Sequence, residues 1–402
     1  MNLRALLTCL MLVSTTEITV AQKITPGLHH TLDSLMKKGI QQDPDTRKYY
    51  FTGYDYKTLY DWDQYFEAIV QIHMGKPSGH IINGVTIFLD HQRPDGLIVR
   101  AVPADRKHDE HIKPFLCQIA LLVFDHYHQR AWLTEDYFKR LQKYLDYWLV
   151  QLDGDQNGLS EWLSAPHSGM DNQHERAGWW SDRKSEGVDL NCYLVKELRA
   201  FATIAERMGK PAIARTYRLK ADRKAELIRK NLWDEKSGFF YDQAYQKNRL
   251  IPVKSIAGFA PLWAGIATKE QARRMIYDQL LNPQEFWSNW PVPALARSEP
   301  GYSTTKLPGD LGCNWRANTW IPTNYMLYHG LKYYGYRELA SVIAYKTDAL
   351  VSKSGNREYY DAESGNGLGL NPFWGWSLLG HFFQFEDQAR HDITRFNRDG
   401  IR

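Results

Sequence analysis

The sequence predicts an all-α protein, an (α/α)6 toroid of six helix pairs, and two observations lead there. Apolar residues recur at helical spacing in about twelve segments, with few stretches alternating as strands do. The segments come in sequential pairs, separated at intervals by long polar loops, as in a ring of inner and outer helices whose loops gather at one end. The count alone equally permits a helical solenoid or a large bundle.

In order, Leu28 to Gly39 carries apolar residues at Leu28, Leu32, Leu35 and Met36. Trp62 to Met74 follows, then His80 to His91 after the break at Pro77-Ser78-Gly79. Pro114 to His128 is strongly apolar and opens on proline, which suits a first helical turn. Thr134, with Asp136 close behind, predicts a cap for Tyr137 to Leu152. Val188 to Met208, Ala212 to Leu232, Ser255 to Ile266 and Lys269 to Leu281 continue the pattern. Thr319 to Tyr334, Arg337 to Val351 and Phe373 to Phe385 complete it. The long loops are Gln92 to Ile112, Asp153 to Gly187, Pro283 to Asn318 and Ser352 to Pro372; loops of that length in a compact chain are usually functional.

The chain has 402 residues, a formal charge of +4 and no Lys/Arg run, which argues against a nucleic-acid groove or a polybasic membrane patch. Its 14 Trp, 24 Tyr and 16 Phe either fill a large core or offer flat faces on which sugar C–H groups stack. Met1 to Gln22 has Arg4, an apolar run from Ala5 to Val13 and small residues before Gln22, the pattern of a cleaved signal peptide. Export to the periplasm or beyond is expected, leaving residues 23–402 as one domain without a membrane span. Cys9 leaves with the signal. Cys117, Cys192 and Cys313 are too scattered for a metal site and read as small buried apolar residues, or as one disulfide and a free thiol. Asp153 to Gly158 resembles the start of a calcium loop, but Ser164 stands where the bidentate glutamate belongs, so a plain turn is expected and no metal or cofactor. Nothing in the sequence fixes an oligomeric state.

Two loop carboxylates stand out. Asp171 follows Gly169 and Met170 in a loop that also holds Trp162, Trp179 and Trp180, a setting where desolvation raises a carboxyl pKa as a general acid requires. The plainer reading is a loop aspartate capping a turn. Glu358 sits beside Arg357, Tyr359 and Tyr360 between glycines, suited either to orienting a water or to a solvated acidic loop. Two such groups flanking a glycosidic bond would invert it if roughly 6.5–9.5 Å apart.

Several motifs, in order, resemble the helical-toroid glycosidases of clan G, families 37 and 63, which include trehalases, processing α-glucosidases and mannosylglycerate and glucosylglycerate hydrolases. They are Leu59-Tyr60-Asp61-Trp62-Asp63-Gln64-Tyr65-Phe66, Gln92-Arg93-Pro94-Asp95-Gly96-Leu97-Ile98, Ser168-Gly169-Met170-Asp171-Asn172 and Val188-Asp189-Leu190-Asn191. Gly238-Phe239-Phe240-Tyr241-Asp242, the stretch Asn314 to Tyr325, Arg357-Glu358-Tyr359-Tyr360-Asp361 and Phe373-Trp374-Gly375-Trp376 follow. The resemblance implies the toroid, Asp171 as general acid, Glu358 as general base, inversion and no redox cofactor. It also implies Trp62, Asp63, Trp315, Arg316, Trp320 and Trp374 around the cleaved sugar, with Lys113 or Arg316 available to a substrate carboxylate. For the tryptophans, core packing is an equal alternative. Departures from the family pattern are His167 for Glu, Gln173-His174-Glu175 for Ser-Pro-Arg, Lys113 for Gln, and no Tyr-Pro-Asn-Gly near Trp315. The expected activity is exo-cleavage of small α-linked sugars, α-glucosides first. Glycosylglycerate or trehalase-like hydrolysis comes next, and a non-catalytic carbohydrate-binding protein is the alternative of another class.

Overall fold

Every helical segment read from the sequence has a counterpart in the computed structural model, which describes residues 25–55, 57–103, 110–178, 185–310, 312–389 and 393. The signal segment, Trp179 and Trp180 lie outside these residues. The helices are α1 (Pro26–Lys38), α2 (Asp61–His73), α3 (Gly79–Asp90), α4 (Leu116–His126) and α5 (Glu135–Asp146), the last continued by a π turn over Tyr147–Gln151. Next come α6 (Ala165–Ser168), α7 (His174–Ala177), α8 (Val188–Arg207), α9 (Pro211–Asn231), α10 (Ala260–Trp263) and α11 (Lys269–Arg274). Finally come α12 (Ile321–Tyr333), α13 (Arg337–Ser354), a 3-10 turn over Trp376–His381, and α14 (Phe383–Ala389).

Local chemistry explains the boundaries. Thr134 Oγ1 accepts from the Tyr137 amide and starts α5, as its sequence suggested. A full capping box, Thr268 with Gln271, starts α11. Helix α4 begins two residues later than its proline implied. Its first amides are satisfied from another helix: Cys117 N and Gln118 N donate to Glu197 of α8, at 2.5 and 3.1 Å. The segment from Ser255 divides into a 3-10 turn (Ile256–Phe259) and α10, and Lys269 to Leu281 ends in a π turn. Among the described residues the chain also forms five small antiparallel sheets, with strands of two or three residues. Strands that short hold too few residues for alternation to register in a sequence.

Helices α2, α4, α8 and α12 are buried along most of their length, whereas α9 buries one stripe. The buried segments pack in a closed circuit: α2 on α4, α4 on α8, α8 on α10, α10 on α12, α12 on the turn Trp376–His381, and that turn back on α2. Helix α9 lies along α8, and α13 along α12. The protein is all-α in character, and its core draws on these buried segments and on the buried stripes of α5 and α9. No helix among the described residues is long and apolar enough to cross a membrane.

The loop from Asp153 is a self-contained turn. Asp153 accepts from the Gly158 amide, Asn157 bridges Asp155 and Glu186, and the Lys224 ammonium donates to Gly158 O and Asn191 Oδ1, at 2.8 and 2.9 Å. A lysine thus supplies the positive charge beside the turn. Burial pushes that lysine down to about 8.

Candidate active site

The N-terminal ends of four members of the circuit, α2, α4, α12 and the turn Trp376–His381, converge on one pocket of about 120 Å³. Asp61, Trp62 and Asp63 open α2, Lys113 precedes α4, Trp320 caps α12 and Trp376 opens the 3-10 turn; all six line it. Asp171 and Glu358 line it too.

Asp171 is delivered by a short, tightly tied loop. Ser164 Oγ accepts from His167 N to start α6, and Gly169, at φ +82°, ends it. A side chain at Gly169 would also strike Lys113 Cε at 2.9 Å and the Trp62 ring at 3.1 Å, so glycine is needed on both counts. His167 is structural: its Nδ1 accepts from Leu163 N, its Nε2 lies 2.9 Å from His111 O, and burial holds it well below the usual histidine value. Asn172 then bolts the loop to its neighbour, donating to Asp310 Oδ2 and Asn314 Oδ1, both at 2.9 Å, and accepting from Trp315 N at 2.7 Å.

Glu358 lies just before the strand Tyr359–Asp361, which pairs antiparallel with Asn318–Thr319 and with Gly367–Leu368. Its Oε2 accepts from Leu370 N at 3.1 Å, and its backbone carbonyl from Trp376 Nε1 at 2.8 Å. Burial pushes its carboxyl above the usual value, opposed by the Leu370 amide and by Cys313. One residue joins the two carboxylates: Cys313 donates its amide to Asp171 Oδ2 at 2.9 Å, and its Sγ lies 3.2 Å from Glu358 Oε1. An amide nitrogen and sulfur of one cysteine are at most ~4 Å apart, so these two oxygens are within about 10 Å of each other.

The opposite wall is charged and buried. Lys113 Nζ is 3.1 Å from both Asp61 oxygens, and Asp61 Oδ2 also accepts from Lys113 N at 3.0 Å. Burial lowers the Lys113 pKa despite that partner. Burial, with the Asp61 charge adding to it, pushes the Asp63 carboxyl up to about 7. Asp63 lines the pocket, and its Oδ1, itself buried, meets no hydrogen-bond donor among the described residues. Trp62, Trp315 and Trp320 form an aromatic side, with Trp315 stacked on Trp320 at 3.8 Å and 5° and Trp320 on Tyr359 at 4.5 Å and 17°. Stacked at both contacts, Trp320 supports Trp315 more than it faces the cavity.

Arg316 and Trp374, expected around the sugar, do not line this pocket. Arg316 is buried and turned toward the acid loop, paired with Asp310 at 3.2 Å and Glu175 at 3.0 Å. Trp374 is buried away from this lining, its Nε1 donating to Thr52 O at 3.0 Å, and Trp376 stands at the wall. Tyr54, Tyr60, Asp61, Arg100 and Cys313 line the pocket although nothing in the sequence singled them out as site residues. Tyr60 and Asp61 lie inside a quoted motif and Cys313 beside one; Arg100 had no local signal. Cys313 is therefore more than a small apolar filler, and all three described cysteines are free. Asp43, Asp45 and His91 bring potential metal-ligand atoms within 4.8 Å of one another, away from this pocket, but Thr46 already occupies Asp43.

Known proteins share this arrangement of the chain. A mannosylglycerate hydrolase from Thermus thermophilus is 33% identical over 149 residues, 36% of this chain and 33% of that one. A counterpart from Rubrobacter radiotolerans is 27% identical over 198 residues, 48% of this chain and 42% of that one. The matched segments thus span less than half of these relatives. The crystal structure of a family 63 mannosylglycerate hydrolase from Thermus thermophilus in complex with Tris superposes over 89% of this chain and 99% of its own, with a TM-score of 0.73 at 19% identity. A neutral trehalase from Saccharomyces cerevisiae superposes over 94% of this chain and 84% of its own, with a TM-score of 0.64 at 19% identity. Residues 56–377 match the family model of the mannosylglycerate hydrolase MGH1-like glycoside hydrolase domain, and the chain belongs to that family, a glycoside hydrolase of the clan G type.

Proposed function

We propose that this protein is an inverting, exo-acting α-glycosidase built on an (α/α)6 toroid, with Asp171 as general acid and Glu358 as general base. The observation that carries the reading is the Cys313 bridge, which holds both carboxylates at one aromatic-walled pocket. Their separation, bounded above at about 10 Å, admits the roughly 6.5–9.5 Å that inversion needs for an attacking water, and inversion itself follows from the family resemblance. The closed circuit of helix contacts supports the toroid. In this mechanism Asp171 protonates the departing oxygen while Glu358 takes a proton from the water that attacks the anomeric carbon from the other face. Asp63, with an oxygen lacking a partner at the wall, accepts from a sugar hydroxyl. Trp62 and Trp315 supply the apolar face. A cavity of about 120 Å³ suits one terminal sugar and supports exo action on small substrates. Met1 to Gln22 acts as an export signal.

An α-glucoside is the first choice of substrate, because the cations of the wall already have acidic partners: Lys113 is held by Asp61, Arg100 is paired with Glu110 at 3.4 Å, and Arg316 lies outside the pocket. A mannosyl- or glucosylglycerate is the second reading, favoured by the names of the relatives. A hydrolysis screen with α-linked glucose and mannose disaccharides and both glycosylglycerates separates the two. Proton NMR on the best substrate, read before mutarotation, should find the β-anomer first; an initial α-anomer would remove the base role from Glu358.

A further inference from the structure

We propose that Cys313 is a positioning residue of the hydrolysis: its thiol donates a hydrogen bond to Glu358 while its amide holds Asp171, so that a single residue fixes the two carboxylates relative to each other. The inference rests on the acid and base roles proposed above, which share the Cys313 contacts as their carrying observation, and adds what the Cys313 thiol does for the base.

The geometry carries it. Cys313 lines the pocket between the acid loop and the Glu358 loop, with its Sγ 3.2 Å from Glu358 Oε1 and its amide 2.9 Å from Asp171 Oδ2. The other two described cysteines, Cys117 and Cys192, are buried in helices α4 and α8 and line no part of this pocket. Donation by the thiol requires that it keep its proton. Burial, with the Glu358 charge adding to it, holds the Cys313 thiol well above its ordinary value, so the S–H is present at neutral pH. Its partner is the acceptor oxygen that the Leu370 amide leaves open, since that amide bonds Oε2. The thiol and the amide therefore fix both oxygens of one carboxylate, leaving its remaining lone pairs to aim at a water.

The charged and titratable groups facing Glu358 are Asp171 from the acid loop, Lys306 and Cys313 from the loop before α12, and Tyr359 from its own strand. Asp171 raises the Glu358 pKa; Lys306 and Cys313 lower it. Removing the thiol must therefore raise it, while a hydroxyl in the same place must not.

The test compares wild type with Cys313→Ser, Cys313→Ala and Cys313→Val, the last filling the space without a donor. Carbon-13 NMR titration of the Glu358 carboxyl, assigned by its loss in Glu358→Gln, needs no substrate. The Ala and Val variants should raise the Glu358 pKa by about one pH unit, and Ser should leave it near wild type. On the α-glycoside that wild type hydrolyses best, Ala and Val should lower kcat about tenfold with KM nearly unchanged and move the acid limb of the pH profile upward, with Ser restoring both. An unchanged Glu358 pKa in folded Ala or Val protein overturns the proposal, as does a Ser variant as impaired as Ala. If Glu358→Gln instead keeps wild-type rates, the base assignment has failed, and the titration still reports on the thiol contact by itself.

Discussion

Replacing Gly312 with alanine should displace the proposed general acid by a predictable amount. Gly312 sits at φ +64°, where an L-residue costs roughly 1–2 kcal/mol. Its new Cβ would stand 2.4 Å from Asp171 Oδ2 and 2.8 Å from Asp171 Cγ. Ordinary non-bonded contacts lie at about 3.5–4 Å, so the carboxylate must retreat by on the order of 1 Å. A misplacement of that size costs up to about 100-fold in rate. Gly309, in the same loop, is the matched control: its φ is +88°, yet an added Cβ would meet nothing within 4 Å. Both alanine variants should lose about 1–2 kcal/mol and melt a few degrees lower in a calorimetric scan. Only Gly312→Ala should lose about two orders of magnitude in kcat/KM on the best glycoside. Wild-type activity in Gly312→Ala would refute the carboxylate geometry. Equal losses in both variants would assign the effect to loop strain instead.

Arg316→Ala should unfold more readily by about 1.5–3 kcal/mol, since it removes the charged partner of Asp310 and leaves that carboxylate to the neutral donors of Asn172 and the Leu307 amide, and should lower kcat while KM stays within about threefold; a tenfold rise in KM alone would return Arg316 to the sugar. Glu386 is fully buried, and although desolvation pushes its carboxyl up, His329 and His73 hold it below the usual value. A depressed folded pKa stabilises the fold above the unfolded value of about 4.3, and that stability is lost as pH falls below it. Urea melts of wild type should therefore weaken more steeply from pH 5 to pH 3 than those of Glu386→Gln; parallel slopes would dismiss the pairing. Mass spectrometry of the protein from its native host should find the chain starting near residue 23, and an intact Met1 in the cytosol would dismiss export.

The inner helices were legible because apolar residues recur along them at helical spacing, even though they also bury polar side chains such as Glu67 and Asn324, and α5 because the Thr134 cap marks its start. The late start of α4 was not, because the group that satisfies its amides, Glu197, lies some eighty residues away. Short-range signals exist only where partners are near in sequence. The same distinction sorts the pocket. Trp62, Asp63, Trp315 and Trp320 fall inside motifs that converge at helix N-termini, so spotting the motif found the residue. Arg316 and Trp374 belong to equally conspicuous motifs but point away, because a neighbour of each takes the wall position. Arg100 and Cys313 reach the pocket through long loops, where neither periodicity nor composition reports direction.

A general base in this pocket faces two opposed demands. It must be dry enough that its charge acts strongly on the water, and dryness favours the neutral acid. Glu358 is 6% exposed, and burial alone drives its carboxyl upward. What opposes that drive is a set of donors and charges drawn from two loops: the Leu370 amide from one, the Cys313 thiol and the Lys306 ammonium from the other. Each comes from a segment whose own position depends on another fixed contact, as Cys313 depends on Asp171, and its loop on the Asp310 pair with Arg316. The proposed acid and base are consequently not independent. A change that loosens the Asp310–Arg316 pair shifts the loop carrying Cys313, and with it one of the donors that keep Glu358 ionised. Activity should therefore fall on both sides of the reaction from lesions that touch neither carboxylate, which is the behaviour expected of a site assembled from long loops on packed helices.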